Sequence, residues 1–221
     1  MTVHMKNEID KLKKKILAFC VQVEEQLWHA VKAIKERDRD LARQVIDRDT
    51  SIDKQEVNIE EECLKILALY QPVAIDLRFI VTVLKINNDL ERIGDLAVNV
   101  AERAVFLSDQ PKIDISIDLL EMAHAAQSML KRSLDALVNH DAKLAYQVCT
   151  SDDAVDQMNR QMYLKVQEAI LENPGQISAL IHLLSVSRHL ERIADHATNI
   201  AEDVIYMIEG QIIRHKVEEY E

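Results

Sequence analysis

The stretch Leu90–Glu102, LERIGDLAVNVAE, carries Glu91, Asp95 and Asn99 at i, i+4 and i+8, with Glu102 at i+11. On an α-helix these positions share one narrow stripe. Carboxylates placed this way repel and weaken a helix by about 0.2–0.5 kcal/mol per pair. They also raise one another's pKa unless a cation lies between them. A row of hard oxygens suits Mg, Mn, Ca or ferric iron, and zinc is compatible with it. The plainer alternative is a salt-bridge network with Arg92, Arg103, Arg188 and Arg192.

The same stretch recurs one hundred positions later as Leu190–Glu202, LERIADHATNIAE, with nine of thirteen residues identical. Glu191, Asp195, Asn199 and Glu202 repeat the acidic and amide stripe. A second i, i+4 pair, Asp49 and Asp53, recurs as Asp152 and Asp156 at an offset of 103, where Asp38, Leu41, Gln44 and Val45 also match Asp141, Leu144, Gln147 and Val148. The candidate metal ligands are therefore Glu91, Asp95, Asp49 and Asp53 in one half and Glu191, Asp195, Asp152 and Asp156 in the other. Asn99 and Asn199 can add neutral oxygens or supporting hydrogen bonds. One acidic pair on a helix is usually just solvated; the duplicated pairing on neighbouring helices is what raises the metal reading.

The elements that must position these groups are long helices. Opposite the acidic stripe run Ile86, Leu90, Ile93, Ala97, Val100 and Ala104, so the apolar side is expected to face a core and the carboxylates to face outward. Apolar residues at three-four spacing predict a first helix from Ile9 to about Lys35–Arg37, with residues 1–7 frayed. A second helix starts near Arg39 behind Asp38 as N-cap and reaches about Tyr70. The third is predicted to begin with Pro72 at a first helical position and to reach about Leu107. Ser108–Ile115 reads as a linker. The second half repeats the plan: Ile117 to about Val138, Ala142 to about Leu171 as one continuous helix, then Gln176 to Ile208. Asn173-Pro174-Gly175 forms a turn, and Gly210 a stop. Short loops make consecutive helices antiparallel neighbours. The expected fold is all-α: two pseudo-symmetric three-helix bundles side by side, residues 1–110 and 111–221.

Composition narrows the function classes. Three glycines and three prolines in 221 residues leave little turn material, and 48% hydrophobic residues support a sizeable core. A net charge of −11 argues against nucleic acid and against broad attraction to anionic lipid. It favours cations or basic protein surfaces. Cys20, Cys63 and Cys149 read as small core residues in a reduced compartment. No apolar run reaches the length of a membrane helix, no targeting segment is read, and no direct membrane insertion is expected.

Catalytic templates are missing: there is no Gly-rich phosphate loop, no G-x-S-x-G and no C-x-x-C. Glu121 and His124 form a single E-x-x-H half-motif, whereas di-iron bundles use two with further glutamates. His182, His189 and His196 share a stripe away from the carboxylates and read as solvated or half-buried. A metal-dependent oxidase or hydrolase built on the acidic stripe is the alternative function.

The motifs LERIGDLAVNVAE and Leu183–Gly210, LLSVSRHLERIADHATNIAEDVIYMIEG, resemble the two signature helices of the PhoU family, and Pro72–Phe79, PVAIDLRF, resembles the start of its third helix. The resemblance covers essentially the whole chain. It implies two three-helix bundles, often as a homodimer, and a non-enzymatic, cytoplasmic negative regulator of phosphate uptake and phosphate-starvation signalling. It implies an adaptor between the ATPase subunit of a phosphate ABC transporter and a sensor histidine kinase. It further implies iron, zinc or another divalent cation such as Mg or Mn at E(D)-x-x-x-D motifs. These map onto Glu91/Asp95 and Glu191/Asp195, and onto Asp49/Asp53 and Asp152/Asp156. Arg188 beside Glu191 makes the second site the one expected to be neutralised from within.

Overall fold

The computed structural model describes residues 3–112 and 119–213. Among the described residues seven helices follow one another: α1 (Val3–Glu36), α2 (Arg39–Tyr70), α3 (Ala74–Ser108), α4 (Leu119–Asn139), α5 (Ala142–Cys149), α6 (Asp152–Glu172) and α7 (Ile177–Glu209). A short 3-10 turn at Pro174–Gln176 leads into α7. At 1.5 Å per residue, the 35 residues of α3 span about 50 Å.

The apolar stripe behaves as its spacing demands. Ile86, Leu90, Ile93, Ala97, Val100 and Ala104 are all buried, as are Leu190, Ile193, Ala197 and Ile200 in α7. α1, α2 and α3 pack on one another, and α7 gathers α4, α5 and α6 in the same way. The two units join along an antiparallel seam between α3 and α7, reinforced where α1 meets α4. Their cores merge into one apolar interior.

The duplication extends to the turns. Asp38 accepts a hydrogen bond from the Leu41 amide at 2.9 Å, and Asp141 from the Leu144 amide at 3.0 Å. The residue before each cap, Arg37 or His140, takes a left-handed backbone with φ near +50°. Both caps end the preceding helix by the same device, an amide bonded five residues back, to Ala33 and to Ala136.

The structure departs from the sequence expectations at three places. Residues 3–7 are helical rather than frayed, because Met5 inserts into the interior. Pro72 does not occupy a first helical position: α3 starts at Ala74, and Val73 is its extended N-cap. Proline disfavours right-handed helical backbone in the residue before it. Gln71 instead turns left-handed at φ 46° and donates its amide to the Leu67 carbonyl. The helix expected over 142–171 is broken between Cys149 and Asp152. Thr150 and Ser151 both donate their hydroxyls to the Gln147 carbonyl, at 3.1 and 2.7 Å, which competes with the helical ladder. Arg132 holds the break from α4, reaching Ser151 Oγ and Gln147 Oε1. The first-half equivalents, Asp47 and Arg48, sit within an unbroken α2. The expected linker is helical up to Ser108, and its residues 113–115, together with Ile117, lie outside the described residues.

Among the described residues, no helix is long and apolar enough to cross a membrane.

Candidate functional site

Among the described residues, two clusters of carboxylates form on the outer faces of the bundles. In the first, α2 supplies Asp49 and Asp53 and α3 supplies Asp95; each offers one oxygen within 4.8 Å of the other two. In the second, α6 supplies Asp152 and Asp156 and α7 supplies Asp195, to the same tolerance. Packing of adjacent antiparallel helices brings Asp95, or Asp195 in the second half, against the i, i+4 pair of the neighbouring helix. Each pair sits on the stripe flanking its own buried residues, so core packing pushes the carboxylates toward one another.

The electrostatics of both clusters are unfavourable as they stand. Burial raises the Asp49 carboxyl above its usual range, and Asp53 and Asp95 push it the same way. Burial likewise raises Glu91, assisted by Asp95, Glu56 and Asp53 against the pull of Arg92. The effect is larger in the second half: burial, then Asp195, Asp156 and Asp153, lift Asp152 to about 6. Asp195 and Glu191 are also raised, burial again being the first cause. One carboxylate oxygen in each cluster, Asp49 Oδ1 and Asp152 Oδ1, is buried without any hydrogen-bond partner. A buried anionic oxygen without a donor is costly.

Arginine compensates only in part. Arg92 lies 3.4 Å from both Glu91 and Asp95. Arg188 and Arg192 act on Glu191. Arg192 also acts weakly on Asp195, but no arginine relieves Asp152.

The remaining candidates fall around these trios. Glu91 and Glu191 stand beside them, close enough to feel their charge. Asn99 donates its amide to the Asp95 carbonyl at 2.9 Å, and so braces the helix carrying a cluster carboxylate. Asn199 reaches Asp89 at 3.4 Å, on the seam between the halves. Glu102 and Glu202 belong to neither trio.

Three further residues bear on the clusters and were not singled out from sequence. Gln26 of α1 pulls the Asp49 carboxyl down slightly, and Thr198 does the same to Asp152, but neither makes a hydrogen bond of good geometry. Glu56 completes an i, i+4, i+7 stripe with Asp49 and Asp53, a spacing readable in the sequence, and it adds to the repulsion on Glu91 without joining the trio. Its carboxyl is raised by burial first, and Asn87 donates to its backbone carbonyl and to its carboxylate. The second-half counterpart is neutral: Ser187 donates to Asn159 at 2.7 Å.

The histidine stripe faces the seam. His182 stacks on Phe106 with ring centroids 3.7 Å apart, and His196 Nδ1 lies 2.8 Å from Asp89. His189 is held down to about 4 by burial and then by Arg103, Arg192 and Arg188, so it stays neutral. Lys85 and the buried Asp203 form an ion pair on the same seam. Glu121 and His124 are both exposed and open onto different grooves, one between α4 and α6 and the other between α1 and α4. They do not converge on a common centre.

Oxygens bound at 2.0–2.6 Å to one ion can lie up to about 4–5 Å apart. The trios meet that spacing, hold hard ligands only, and carry partnerless buried oxygens. The donor set therefore fits a hard cation.

Known proteins bear on what carries these clusters. A sequence profile described as the PhoU domain matches residues 16–104 and 119–204, once per half. The chain is 39% identical over 95% of its length to a phosphate-specific transport system accessory protein PhoU homolog of Aquifex aeolicus, covering 95% of that protein. A homolog of the same description from Pseudomonas aeruginosa is 39% identical over 94% of this chain and 86% of its own. The crystal structure of PhoU from Pseudomonas aeruginosa superposes with a TM-score of 0.91 at 38% identity, covering 93% of this chain and 99% of that one. The regulatory PhoU of Streptococcus pneumoniae gives a TM-score of 0.82 at 29% identity, covering 94% and 98%. A profile match in each half, relatives aligned end to end and the same helical fold together show that this chain belongs to the PhoU family.

Proposed function

We propose that this chain is a non-enzymatic negative regulator of phosphate uptake and phosphate-starvation signalling. It acts in the cytoplasm as an adaptor between the ATPase subunit of a phosphate ABC transporter and a sensor histidine kinase. When phosphate is ample, docking on both holds the kinase silent. The observation that carries this reading is the end-to-end match to relatives named as phosphate-transport accessory proteins. Long helical faces with exposed apolar residues supply surface for such docking. We take the functional units to be residues 1–110 and 111–221, and the assembly to be a homodimer.

Within this reading the acidic clusters hold divalent or ferric cations. Asp49, Asp53 and Asp95, with Glu91 at the edge, would hold one; Asp152, Asp156 and Asp195, with Glu191, the other. Asn99 and Asn199 steady the helices that carry them. A bound cation supplies positive charge that relieves the repulsion and converts each acidic patch into a surface that acidic partner groups can meet.

The test is deletion of the gene together with capture experiments. Loss of the chain is expected to switch on phosphate-scavenging genes in rich phosphate, and the purified chain to retain the ATPase subunit and the kinase. Unchanged expression after deletion would refute the regulatory reading. Elemental analysis of the purified chain tests the cation separately. The enzyme alternative draws on the Asp152 carboxyl near 6, a value suited to proton transfer at neutral pH. It requires turnover that disappears in Asp195→Asn with the fold intact.

A further inference from the structure

We propose that the α2–α3 end of the first bundle is a docking surface for an anionic lipid bilayer. The α2–α3 hairpin there turns apolar side chains into water: Leu69, Val73 and Ile75 are 64%, 73% and 69% exposed, and Leu77 and Val3 are exposed beside them. Pro72 is buried at the base of the hairpin and anchors it. Gln71 and Ala74 both hold left-handed backbone, φ 46° and 49°. Such strain in residues other than glycine persists only where the surroundings enforce it. The hairpin is thus a rigid apolar tip rather than a loop that can fold its side chains back.

Behind the tip sits a collar of lysines. The antiparallel pairing of α1 with α2 brings the start of α1 to this end, where Lys65 pairs with Glu8 and Lys15 with Glu62. Lys13 lies over the Phe79 ring at 5.3 Å. Phe79 follows Ala74 by five residues, about 7.5 Å along the helix. That depth matches an apolar tip sunk roughly 5–10 Å into the headgroup boundary with its lysines among the phosphates. Residues 3–15 and 62–79 hold seven lysines and arginines against four acids, in a chain whose net charge is −11. Lys6, Lys13 and Lys14 have no carboxylate partner among the described residues.

Charge decides the occupant. Protein interfaces are depleted in lysine, whereas lysine clusters beside apolar anchors suit anionic headgroups, each adding attraction within a Debye length. The matching tip of the second bundle also exposes apolar residues, Leu171, Ile177 and Ile181. In sequence, the positions 103 residues after Lys11–Lys15 are Asp114–Asp118, with two aspartates and no lysine. Among the described residues, the first tip carries both features. The overall negative charge therefore excludes lipid from most of the surface and orients the chain by this end.

The test uses the full chain and protein-free vesicles, so it is independent of whether the adaptor reading holds. Co-sedimentation is expected with phosphatidylcholine vesicles containing phosphatidylglycerol, not with phosphatidylcholine alone, and it should disappear in high salt. Lys13→Gln with Lys14→Gln should lower the bound fraction at subsaturating lipid by about tenfold. Val73→Ser with Ile75→Ser should also release the chain, while Leu171→Ser with Ile177→Ser should not. All these positions are exposed, and unchanged thermal melting shows that the variants fold. Sedimentation that is absent, insensitive to phosphatidylglycerol, or unaffected by the first-tip variants overturns the proposal. Retention seen only with vesicles carrying transporter membrane subunits assigns the tip to a protein partner and overturns it equally.

Discussion

Replacing Asp152 by Asn should stabilise the cation-free protein at neutral pH. The carboxyl is lifted from 3.8 to about 6 in the folded chain, roughly two pH units at about 1.4 kcal/mol each. That sets an upper figure of about 3 kcal/mol. Asp152 keeps some solvent contact, and the Asn side chain must still find partners, so about half of this, ~1.5 kcal/mol, should be recovered. For a chain of this size the melting temperature should rise by about 3–6 °C. The sign follows from linkage. A carboxyl whose folded pKa is raised binds its proton more tightly when folded, so its penalty is absent below about pH 4 and complete above about 6. Chelator-treated parent protein should therefore lose stability through that window, and the variant should lose less. Circular dichroism melts at pH 4, 5, 6 and 7.5 read both effects. Divalent cation should raise the parent's melting point at pH 7.5 by more than the variant's. A variant that melts below the parent at pH 7.5, or parallel pH profiles, would show that internal donors already neutralise the cluster and would refute the reasoning.

Other outcomes can be read from packing. A Cβ on Gly94 would stand 3.0 Å from Ile52 Cγ2, so Gly94→Leu should cost about 1–3 kcal/mol in chemical denaturation. The second half holds Ala194 against Val155 at the matching places, so Ile52→Val should restore much of the stability lost in Gly94→Ala. Leu90→Ala, at a fully buried position, should cost about 2–5 kcal/mol. Lys85→Met strands part of the charge of Asp203, which is 1% exposed; it should destabilise by about 2–4 kcal/mol, and adding Asp203→Asn should recover some of that. Burial holds Cys20, Cys63 and Cys149 up at about 12. The native chain should therefore resist thiol reagents and react with three equivalents only after unfolding; rapid native labelling would contradict the burial.

Particular residues show how far the sequence reads through to the fold. Leu90, Ile93 and Ala97 announced a buried stripe because helical periodicity is local, and the same periodicity placed Asp95 and Glu91 off the core. Asp38 announced its cap, and Asp141 repeats it at an offset of 103, because an N-cap is a contact between residues three apart. The break at Thr150–Ser151 was missed because hydroxyl bonding back to Gln147 competes only weakly with a helix on its own. Arg132, eighteen and nineteen residues earlier in the chain, tips that balance from a neighbouring helix. The start of α3 was misplaced because Pro72 suits both a first helical turn and a hairpin, and only the fold around Gln71 chooses.

Residue identity and spacing by themselves determined that this chain is helical, duplicated and lined on two helices of each half with paired carboxylates. These are properties of one helix at a time, and a 3.6-residue period suffices to reveal them. The tertiary structure alone decided that Asp95 meets Asp49 and Asp53, that Asp195 meets Asp152 and Asp156, and that Asn199 turns instead to Asp89. It also decided that lysines from α1 collar an apolar hairpin made by α2 and α3. Distances between helices depend on how their buried faces interlock, and no spacing within a single helix encodes them.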